Sequence, residues 1–228
     1  MSFEALPERL AQVRAEIARL VERPVTIVAV TKGFGTDAIR AALAAGIVDI
    51  GENRVQEAVQ KQEELGAASQ ELGIRWHLIG HLQRNKAKVV PGRFALVHSV
   101  DSGELAMELD RRAQAPQRVL LQVNVAREAQ KSGCVLEDAP AVARHIAALS
   151  HLRLEGLMTL APFTDDEAVQ RRTFRDLRVL RDRIKEEEGL WLPTLSMGMS
   201  GDYVSAVREG ATVIRLGTAL FGRRETTA

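Results

Sequence analysis

The sequence predicts a single α/β domain, a (β/α)8 barrel that spans residues 1–228. Short apolar, β-branched segments alternate with helical segments eight times along the chain, which is the pattern of strands buried in a parallel sheet with helices between them. No proline- or serine-rich linker and no change of composition interrupts this alternation. An open, doubly wound sheet is the alternative that the pattern leaves, because a strand count from one sequence can differ by one.

The segment before the first strand has helical periodicity and predicts an extra N-terminal helix. It is too short for a coiled coil, so we expect it to pack on the barrel as a lid. Its apolar residues recur at spacings of three and four, up to a boundary at Pro24, and they are Phe3, Leu6, Leu10, Val13, Ile17 and Leu20.

The predicted strands lie at 25–30, 47–51, 74–80, 94–100, 118–125, 153–160, 193–198 and 212–217. Helices are predicted to begin near Thr36, Asn53, Arg84, Ser102 and Leu136, a long one runs through Phe174 and Ile184, and a short one follows Gly198. In a (β/α)8 barrel the functional residues lie at the carboxyl ends of the strands and in the loops that follow them. Those positions are therefore the candidates for a site.

Composition excludes several classes of protein. The chain has 31 basic and 30 acidic residues and a formal net charge of +1, so it has no global attraction for nucleic acid or anionic membranes. The single cysteine, Cys134, excludes an intramolecular disulfide framework and a cysteine-based zinc site. The first twenty residues lack the apolar core of a signal peptide, and no apolar run approaches the ~18 residues of a membrane span. We expect a cytoplasmic monomer.

Lys32 follows the mainly apolar first strand, 25–30, with only Thr31 between them. Charged side chains are rarely buried without a partner, so this position is unusual. One interpretation is a lysine that extends its ammonium group out of the barrel mouth. The other is an amine of lowered pKa that attacks a carbonyl group.

Polar side chains also follow the second and third strands. Asn53 fits either a helix N-cap, with Glu52 and Arg54 as surface charges, or a residue of the site. The four-residue spacing of His77 and His81 spans a strand end rather than a helix, and no acidic third ligand adjoins, so we predict no metal site.

A basic patch follows the third strand. It consists of Arg84, Lys86 and Lys88, and such a cluster is more typical of a solvated helix face than of a nucleic-acid site.

Small and hydroxyl-bearing residues follow the seventh and eighth strands, in the segments 196–202 and 215–218. Glycines allow backbone N–H groups close to an anion, hydroxyl groups add donors, and these loops are where (β/α)8 barrels often hold a phosphate. The alternative is a pair of ordinary glycine turns in which Ser200 caps a helix. A lysine on the first strand beside a phosphate site suggests an aldehyde that carries its own phosphate, such as pyridoxal 5′-phosphate (PLP).

Seven motifs along the chain resemble the PLP-binding YggS/PROSC family, also called PLP homeostasis proteins. The motifs are VAVTKGFG, IGENRVQE, WHLIGHLQRNK, QVNVAREAQKSG, GLMTLAP, SMGMSGDY and RLGTALFG, in that order. The turn Gly33-Phe34-Gly35 departs from the family, in which this turn often contains proline, and Leu78 stands where phenylalanine or methionine is frequent.

The resemblance implies a barrel like the N-terminal domain of alanine racemase, with PLP as the cofactor and Lys32 as the lysine that holds it as an internal aldimine. It also implies that Asn53 lies near the cofactor ring and that Arg215 faces the pyridine nitrogen. The phosphate would be held by Ser196, Ser200, Gly217 and Thr218.

The resemblance implies a role in PLP (vitamin B6) and amino-acid homeostasis, and the residues lead us to expect no catalytic turnover. The chain ends eleven residues after Gly217, so we expect no second domain to supply the opposing tyrosine base of the racemase. We expect Tyr203, the only tyrosine, to pack or to cap a helix rather than act as a base. Arg215 cannot protonate the pyridine nitrogen, which disfavours carbanion chemistry.

Three functions remain open at this point. The first is a PLP carrier that releases the cofactor to apo PLP-dependent enzymes. The second is a weak amino-acid racemase or lyase. The third is a PLP-responsive docking module that uses the basic patch. The sequence does not assign roles to Glu128, Lys131 and Gly133 in the loop after the fifth strand, where a solvated loop and a lid fit equally well.

Overall fold

The eight strands form one closed parallel barrel. A computed structural model describes residues 3–128 and 130–223. Each strand pairs with the next in chain order, and the last pairs with the first. The prediction of a (β/α)8 barrel is confirmed, and the open-sheet alternative is wrong. The strands are β1 (Thr26–Val30), β2 (Asp49–Glu52), β3 (Arg75–Leu78), β4 (Leu96–Val100), β5 (Gln117–Gln122), β6 (Leu152–Met158), β7 (Thr194–Ser196) and β8 (Val213–Leu216).

Helices cover the outside of the barrel. They are α1 (Leu6–Leu20), α2 (Thr36–Ala44), α3 (Val55–Leu65), α4 (Ala68–Glu71), α5 (Gly103–Arg112), α6 (Ala139–Ala147), α7 (Glu167–Glu188), α8 (Tyr203–Arg208) and α9 (Thr218–Phe221). Among the described residues, no helix has both the length and the apolar character needed to cross a membrane.

Two of these elements differ from prediction. The helix predicted at Arg84 is a single 3-10 segment, Arg84–Val89, and the one predicted near Leu136 begins at Ala139. The short helices α4 and α9 were not predicted, because four residues carry too little periodicity to be recognised.

Helix α1 packs on the outside of the barrel against α8 and α9. Its predicted apolar stripe faces inward, and Leu6, Leu10 and Val13 are each at most 5% exposed. Burial of three or more large side chains on one face supplies the apolar contact that such a helix needs in order to dock. The prediction that this helix packs on the core is confirmed.

Three phenylalanines join distant parts of the chain beside the barrel mouth. Phe34 lies in the turn after β1, Phe3 lies just before α1, and Phe221 ends α9. The ring centroids are 5.8 Å apart for Phe3 and Phe34, 5.7 Å for Phe3 and Phe221, and 5.4 Å for Phe34 and Phe221. These separations are typical of favourable aromatic pairs. The aromatic cluster therefore fixes the Gly33-Phe34-Gly35 turn against α9.

Strand register brings the carboxyl ends of β8, β1 and β2 together. Ala29 of β1 pairs with Leu216 of β8 and with Ile50 of β2. The residues that follow these strands therefore share one side of the mouth.

The close approach of β6 and β7 depends on a glycine. A Cβ atom on Gly156 would lie 1.9 Å from the carbonyl oxygen of Thr194, its pairing partner on β7. No side chain fits at that separation without moving backbone.

We predict that Gly156→Ala destabilises the fold by about 3 kcal/mol, because overpacking between paired strands must be relieved by backbone movement. Gly201→Ala is the control, since no atom lies within 4 Å of its added Cβ atom. Urea unfolding of both variants measures the difference. Equal stabilities for the two variants would contradict the prediction.

Candidate functional site

The predicted site residues meet at the carboxyl end of the barrel. Lys32 follows β1 and is exposed, Asn53 follows β2, and Gly217 follows β8. Since β1 pairs with both β2 and β8, Lys32 stands between the other two. The arrangement places a primary amine next to a loop rich in hydrogen-bond donors.

The loop after β7 is connected to the start of α9 through Ser200. Its Oγ accepts hydrogen bonds from the backbone N–H groups of Gly217, at 3.2 Å, and Ala219, at 3.1 Å. Ser200 therefore accepts hydrogen bonds from N–H groups at the start of α9. In the alternative interpretation of the sequence, Ser200 caps the helix that follows Ser200 itself. Thr218, the first residue of α9, is exposed at this rim. Ser200, Gly217 and Thr218 form one cluster, which we call the rim cluster.

Arg215 of β8 is the buried cation of the site, with 3% of its surface exposed. Its Nη1 donates to Ser196 Oγ at 2.6 Å, and its Nη2 donates to the carbonyl oxygen of Thr159 at 3.0 Å. Burial lowers the pKa of Arg215 to about 10, while the charge of Asp202 acts in the opposite direction. Arg215 is therefore cationic at neutral pH and held at two points. Ser196 belongs with Arg215, apart from the rim cluster.

A row of polar side chains continues from Ser196 through the barrel interior. Ser196 Oγ lies 2.8 Å from His98 Nδ1, and His98 Nε2 lies 2.9 Å from His77 Nδ1. His77 Nε2 then lies 2.9 Å from Asp49 Oδ1, at the first residue of β2. We call these four residues with Arg215 the interior row. It connects the mouth with the opposite end of the barrel.

Asp49 is the anionic end of the interior row. Burial raises its pKa, but the hydrogen bonds from His77 and Arg75 outweigh burial and lower the pKa to about 2. Arg75 binds both carboxylate oxygens, at 2.7 and 2.5 Å. Burial lowers the pKa of His98 well below its usual value, and His77, Arg215 and Arg118 add to this effect. Asp49 is therefore ionised and His98 neutral at physiological pH.

Sequence reasoning missed Asp49, His98 and Thr159 and considered His77 only as a metal ligand. A signal was present, since His77 and His98 interrupt otherwise apolar strands. The two histidines with metal-like spacing, His77 and His81, have different partners. His77 contacts His98 and Asp49, whereas His81 is exposed and lies 3.4 Å from Asp101. Within residues 3–128 and 130–223, no group of three or more His, Cys, Asp or Glu side chains is placed to hold a metal ion.

A buried ion cluster supports the turn that carries Lys32. The ammonium group of Lys61, on α3, donates to Glu52 Oε1 at 2.7 Å, to Glu57 Oε1 at 2.8 Å and to the carbonyl oxygen of Thr31 at 2.8 Å. Glu57 Oε1 also accepts from the N–H group of Gly33 at 2.5 Å. The residues before and after Lys32 are thus both tied to α3.

Of the two interpretations of Asn53, the helix N-cap is wrong. Helix α3 begins at Val55 with Arg54 as its N-cap, and no side chain caps it. Glu52 is not a surface charge either, since it is fully buried against Lys61. Asn53 Oδ1 is buried without a hydrogen-bond partner. A Cβ atom on Gly80 would lie 2.2 Å from the carbonyl oxygen of Asn53, so β3 ends directly against it. An unpartnered buried acceptor at the mouth is available to a ligand.

The basic patch lies on the 3-10 segment, where Arg84 and Lys88 are exposed and Lys86 is half-buried.

The loop after β5 is held at several points. Lys131 donates to the carbonyl oxygen of Ala161 at 2.8 Å and pairs with Glu128.

Gly133 supports the same loop after β5. A Cβ atom there would lie 2.6 Å from the backbone nitrogen of Asn124. The loop is therefore packed against the end of β5 rather than free in solvent.

The chain is similar to known proteins over nearly its whole length. The family model of the alanine racemase N-terminal domain matches residues 4–225. The pyridoxal phosphate homeostasis protein of Pseudomonas aeruginosa is 43% identical over 98% of this chain and 97% of the relative. That of Aquifex aeolicus is 38% identical over 96% and 98%. This chain belongs to the pyridoxal phosphate homeostasis protein family.

Solved structures of similar proteins agree with this family. PipY of Synechococcus elongatus, solved with PLP bound, is 39% identical, with a TM-score of 0.84 over 95% of this chain and all of that chain. An alanine racemase of Clostridium difficile has a TM-score of 0.75 at 14% identity and shows the shared barrel fold alone. The resemblance to the pyridoxal phosphate homeostasis family and the alanine racemase-like fold are both confirmed.

We predict that Lys61→Met destabilises the protein by about 3 kcal/mol, because it leaves the buried carboxylate of Glu52 without its cation. Lys88→Met, an exposed lysine of the basic patch, is the matched control and is expected to change stability by less than about 0.5 kcal/mol. Urea unfolding tests both. A Lys61→Met protein as stable as the control would show that the cluster contributes nothing to the turn.

Acid stability tests the anionic end of the interior row. The pKa of Asp49 is about 2 in the folded state and 3.8 without its partners. Its stabilisation is therefore fully present above about pH 4 and is lost as pH falls toward 2. Between these pH values the wild type is expected to lose about 2 kcal/mol more of its unfolding free energy than Asp49→Asn. Denaturant unfolding at both pH values measures the difference, and identical losses would refute the assignment.

Proposed function

We propose that this protein binds pyridoxal 5′-phosphate at the barrel mouth through Lys32, and holds and releases it without catalytic turnover. The observation that carries the proposal is the position of Lys32. Its amine stands at the mouth between Asn53 and the rim cluster, and PipY, 39% identical, has been solved with PLP bound. Function in PLP homeostasis follows from the names of the relatives.

The residues at the mouth fit the chemical groups of this cofactor. The rim cluster offers the hydroxyl groups of Ser200 and Thr218 as donors for a phosphate, while the N–H group of Gly217 already donates to Ser200 Oγ. Arg215 offers N–H donors that suit a ring nitrogen, and Asn53 Oδ1 is a buried acceptor that a ligand donor would satisfy. We assign Ser196 an indirect role in the binding site. It contacts Arg215, and we assign it no direct contact with the phosphate.

When bound, the cofactor supplies an aldehyde that condenses reversibly with primary amines. Lys32 supplies the amine, and Lys61 and Glu57 hold the residues on either side of it, Thr31 and Gly33. Lys32 is exposed, so amines of other molecules can reach the same position. Access from solvent suits a carrier, since release to an apo PLP-dependent enzyme needs an open path. It would be a disadvantage for an enzyme that must protect reactive intermediates.

Two residues argue against turnover. Arg215 keeps its proton and cannot transfer it to a ring nitrogen, which leaves the ring a weaker electron sink than one beside a carboxylic acid. Tyr203 is half-buried and packs against the core. Burial raises the pKa of Tyr203, and the negative charge of Glu16 on α1 raises it further. The retained proton of Arg215 and the raised pKa of Tyr203 each make that residue a poor general acid or base at the mouth.

Borohydride trapping tests the proposal. After incubation with PLP and reduction, mass spectrometry is expected to find the reduced cofactor on the peptide that contains Lys32. Lys32→Ala should abolish this adduct, and Lys88→Ala, the exposed-lysine control, should leave it unchanged. Absence of the adduct in the wild type would refute the cofactor assignment.

Transfer is the second part of the test. The loaded protein is expected to restore activity to an apo-aminotransferase and to show no turnover of amino acids by itself. Steady racemisation or elimination that is lost in Lys32→Ala would replace the carrier with a weak racemase or lyase. Loading without transfer, together with salt-dependent capture of a partner that requires the basic patch, would favour the docking module.

A further inference from the structure

The interior row has a direction that its two ends determine. Arg215 can only donate hydrogen bonds, so Ser196 Oγ accepts from Arg215 Nη1. The ionised carboxylate of Asp49 can only accept, so His77 Nε2 carries a hydrogen. A neutral His77 then has a bare Nδ1, which must accept from His98 Nε2. A neutral His98 in turn has a bare Nδ1, which accepts from the hydroxyl group of Ser196.

With both imidazole rings neutral, every hydrogen bond of the interior row points from Arg215 toward Asp49. Each intermediate group presents a lone pair on the side of Arg215 and a hydrogen on the side of Asp49. Such aligned dipoles stabilise a positive charge at the mouth and a negative charge at the other end. Ser196, His98 and His77 are at most 5% exposed, so water does not screen this alignment.

We propose that Asp49, His77 and His98 are positioning residues that act through Ser196 to orient Arg215 and stabilise its buried charge, and so set the affinity of the mouth for its ligand. His77 is the third of the four residues of β3 and His98 the third of the five residues of β4, whereas Asp49 lies away from the mouth. Asp49 begins β2, three residues before the strand ends at Glu52, which is about 10 Å away along the strand. The part of this proposal that concerns ligand affinity rests on the proposed cofactor.

Other charges around the interior row are compatible with its direction. Arg75 binds Asp49, and Asp202 acts on Arg215 from the loop after β7. Arg118 acts on His98, but it is itself paired with Glu155 at 2.6 Å. None of these charged groups reverses the polarity of the interior row, which is negative at Asp49 and positive at Arg215.

Nitrogen-15 NMR of the imidazole rings tests the direction without any ligand. The chain has five histidines, and His77→Gln and His98→Gln assign the two signals of interest. The proposed direction requires each of the two rings to carry its hydrogen on Nε2 alone. A hydrogen on Nδ1 of His98, or a cationic ring at either position, would overturn the proposed direction. This outcome does not depend on whether the protein binds PLP.

Ligand affinity tests the effect on the mouth. Pyridoxine 5′-phosphate is the probe, because it carries the ring and the phosphate but no aldehyde for Lys32. Asp49→Asn is expected to bind it about tenfold more weakly, the change that follows from weakening one charge-assisted hydrogen bond. In a Ser196→Ala background the same substitution should have no further effect, because the interior row is already interrupted there.

Glu155→Gln is the matched control. Glu155 is 9% exposed against 7% for Asp49, and Arg118 binds both its oxygens as Arg75 binds those of Asp49. Its affinity for the probe is expected to stay within about twofold of the wild type. Equal losses for Glu155→Gln and Asp49→Asn, or an undiminished effect of Asp49→Asn in the Ser196→Ala background, would overturn the proposal. Absence of binding to the wild type would refute the proposed cofactor site, and the NMR result would still decide the direction of the interior row.

Discussion

The pairing of β1 with β8 is the constraint on which the site depends. It closes the barrel and joins residues separated by nearly the whole described chain. Through this pairing Lys32, the second residue after β1, and Gly217, the first residue after β8, share one side of the mouth. An open sheet with the same strands would place these two residues at opposite edges. A primary amine and a donor-rich rim therefore meet only because the sheet is closed.

Closure also creates an interior in which polar groups must find partners. A buried arginine without a hydrogen-bonded partner would be strongly destabilising. Arg215 is held by a serine hydroxyl and a backbone carbonyl group, and the charge of Asp202 acts on it from the loop after β7. These direct contacts are with neutral groups, whereas a carboxylate pressed against the guanidinium would compete with a ligand.

Much of the fold could be predicted from the sequence, because the signal was periodic. Eight apolar runs and the stripe of α1 each depend on local spacing. The 3-10 segment and the four-residue helices α4 and α9 could not be predicted, since their few residues are shaped by the packing around them. Boundaries also moved by a few residues, as in β2, which begins at Asp49 rather than at position 47.

The candidate site was predictable where a motif marked it and not where distant strands assemble it. Lys32, Ser200 and Gly217 sit in recognisable turns. Asp49 and His98 lie on strands that are not neighbours, and only their registers bring them to the same row of the interior. The cap predicted at Asn53 failed for a related reason, because the preference of asparagine for helix starts is local, whereas the contact of Gly80 with its backbone is not.

The aromatic cluster has a consequence for how the protein is made on the ribosome. Phe34 holds the turn beside Lys32, but one of its two partners, Phe221, is synthesised long after it. Until that late segment has left the exit tunnel, the turn lacks a contact that fixes it, and β1 lacks β8. A nascent chain thus carries Lys32 before the mouth around it has formed. The proposed binding site therefore exists only in chains that have already folded.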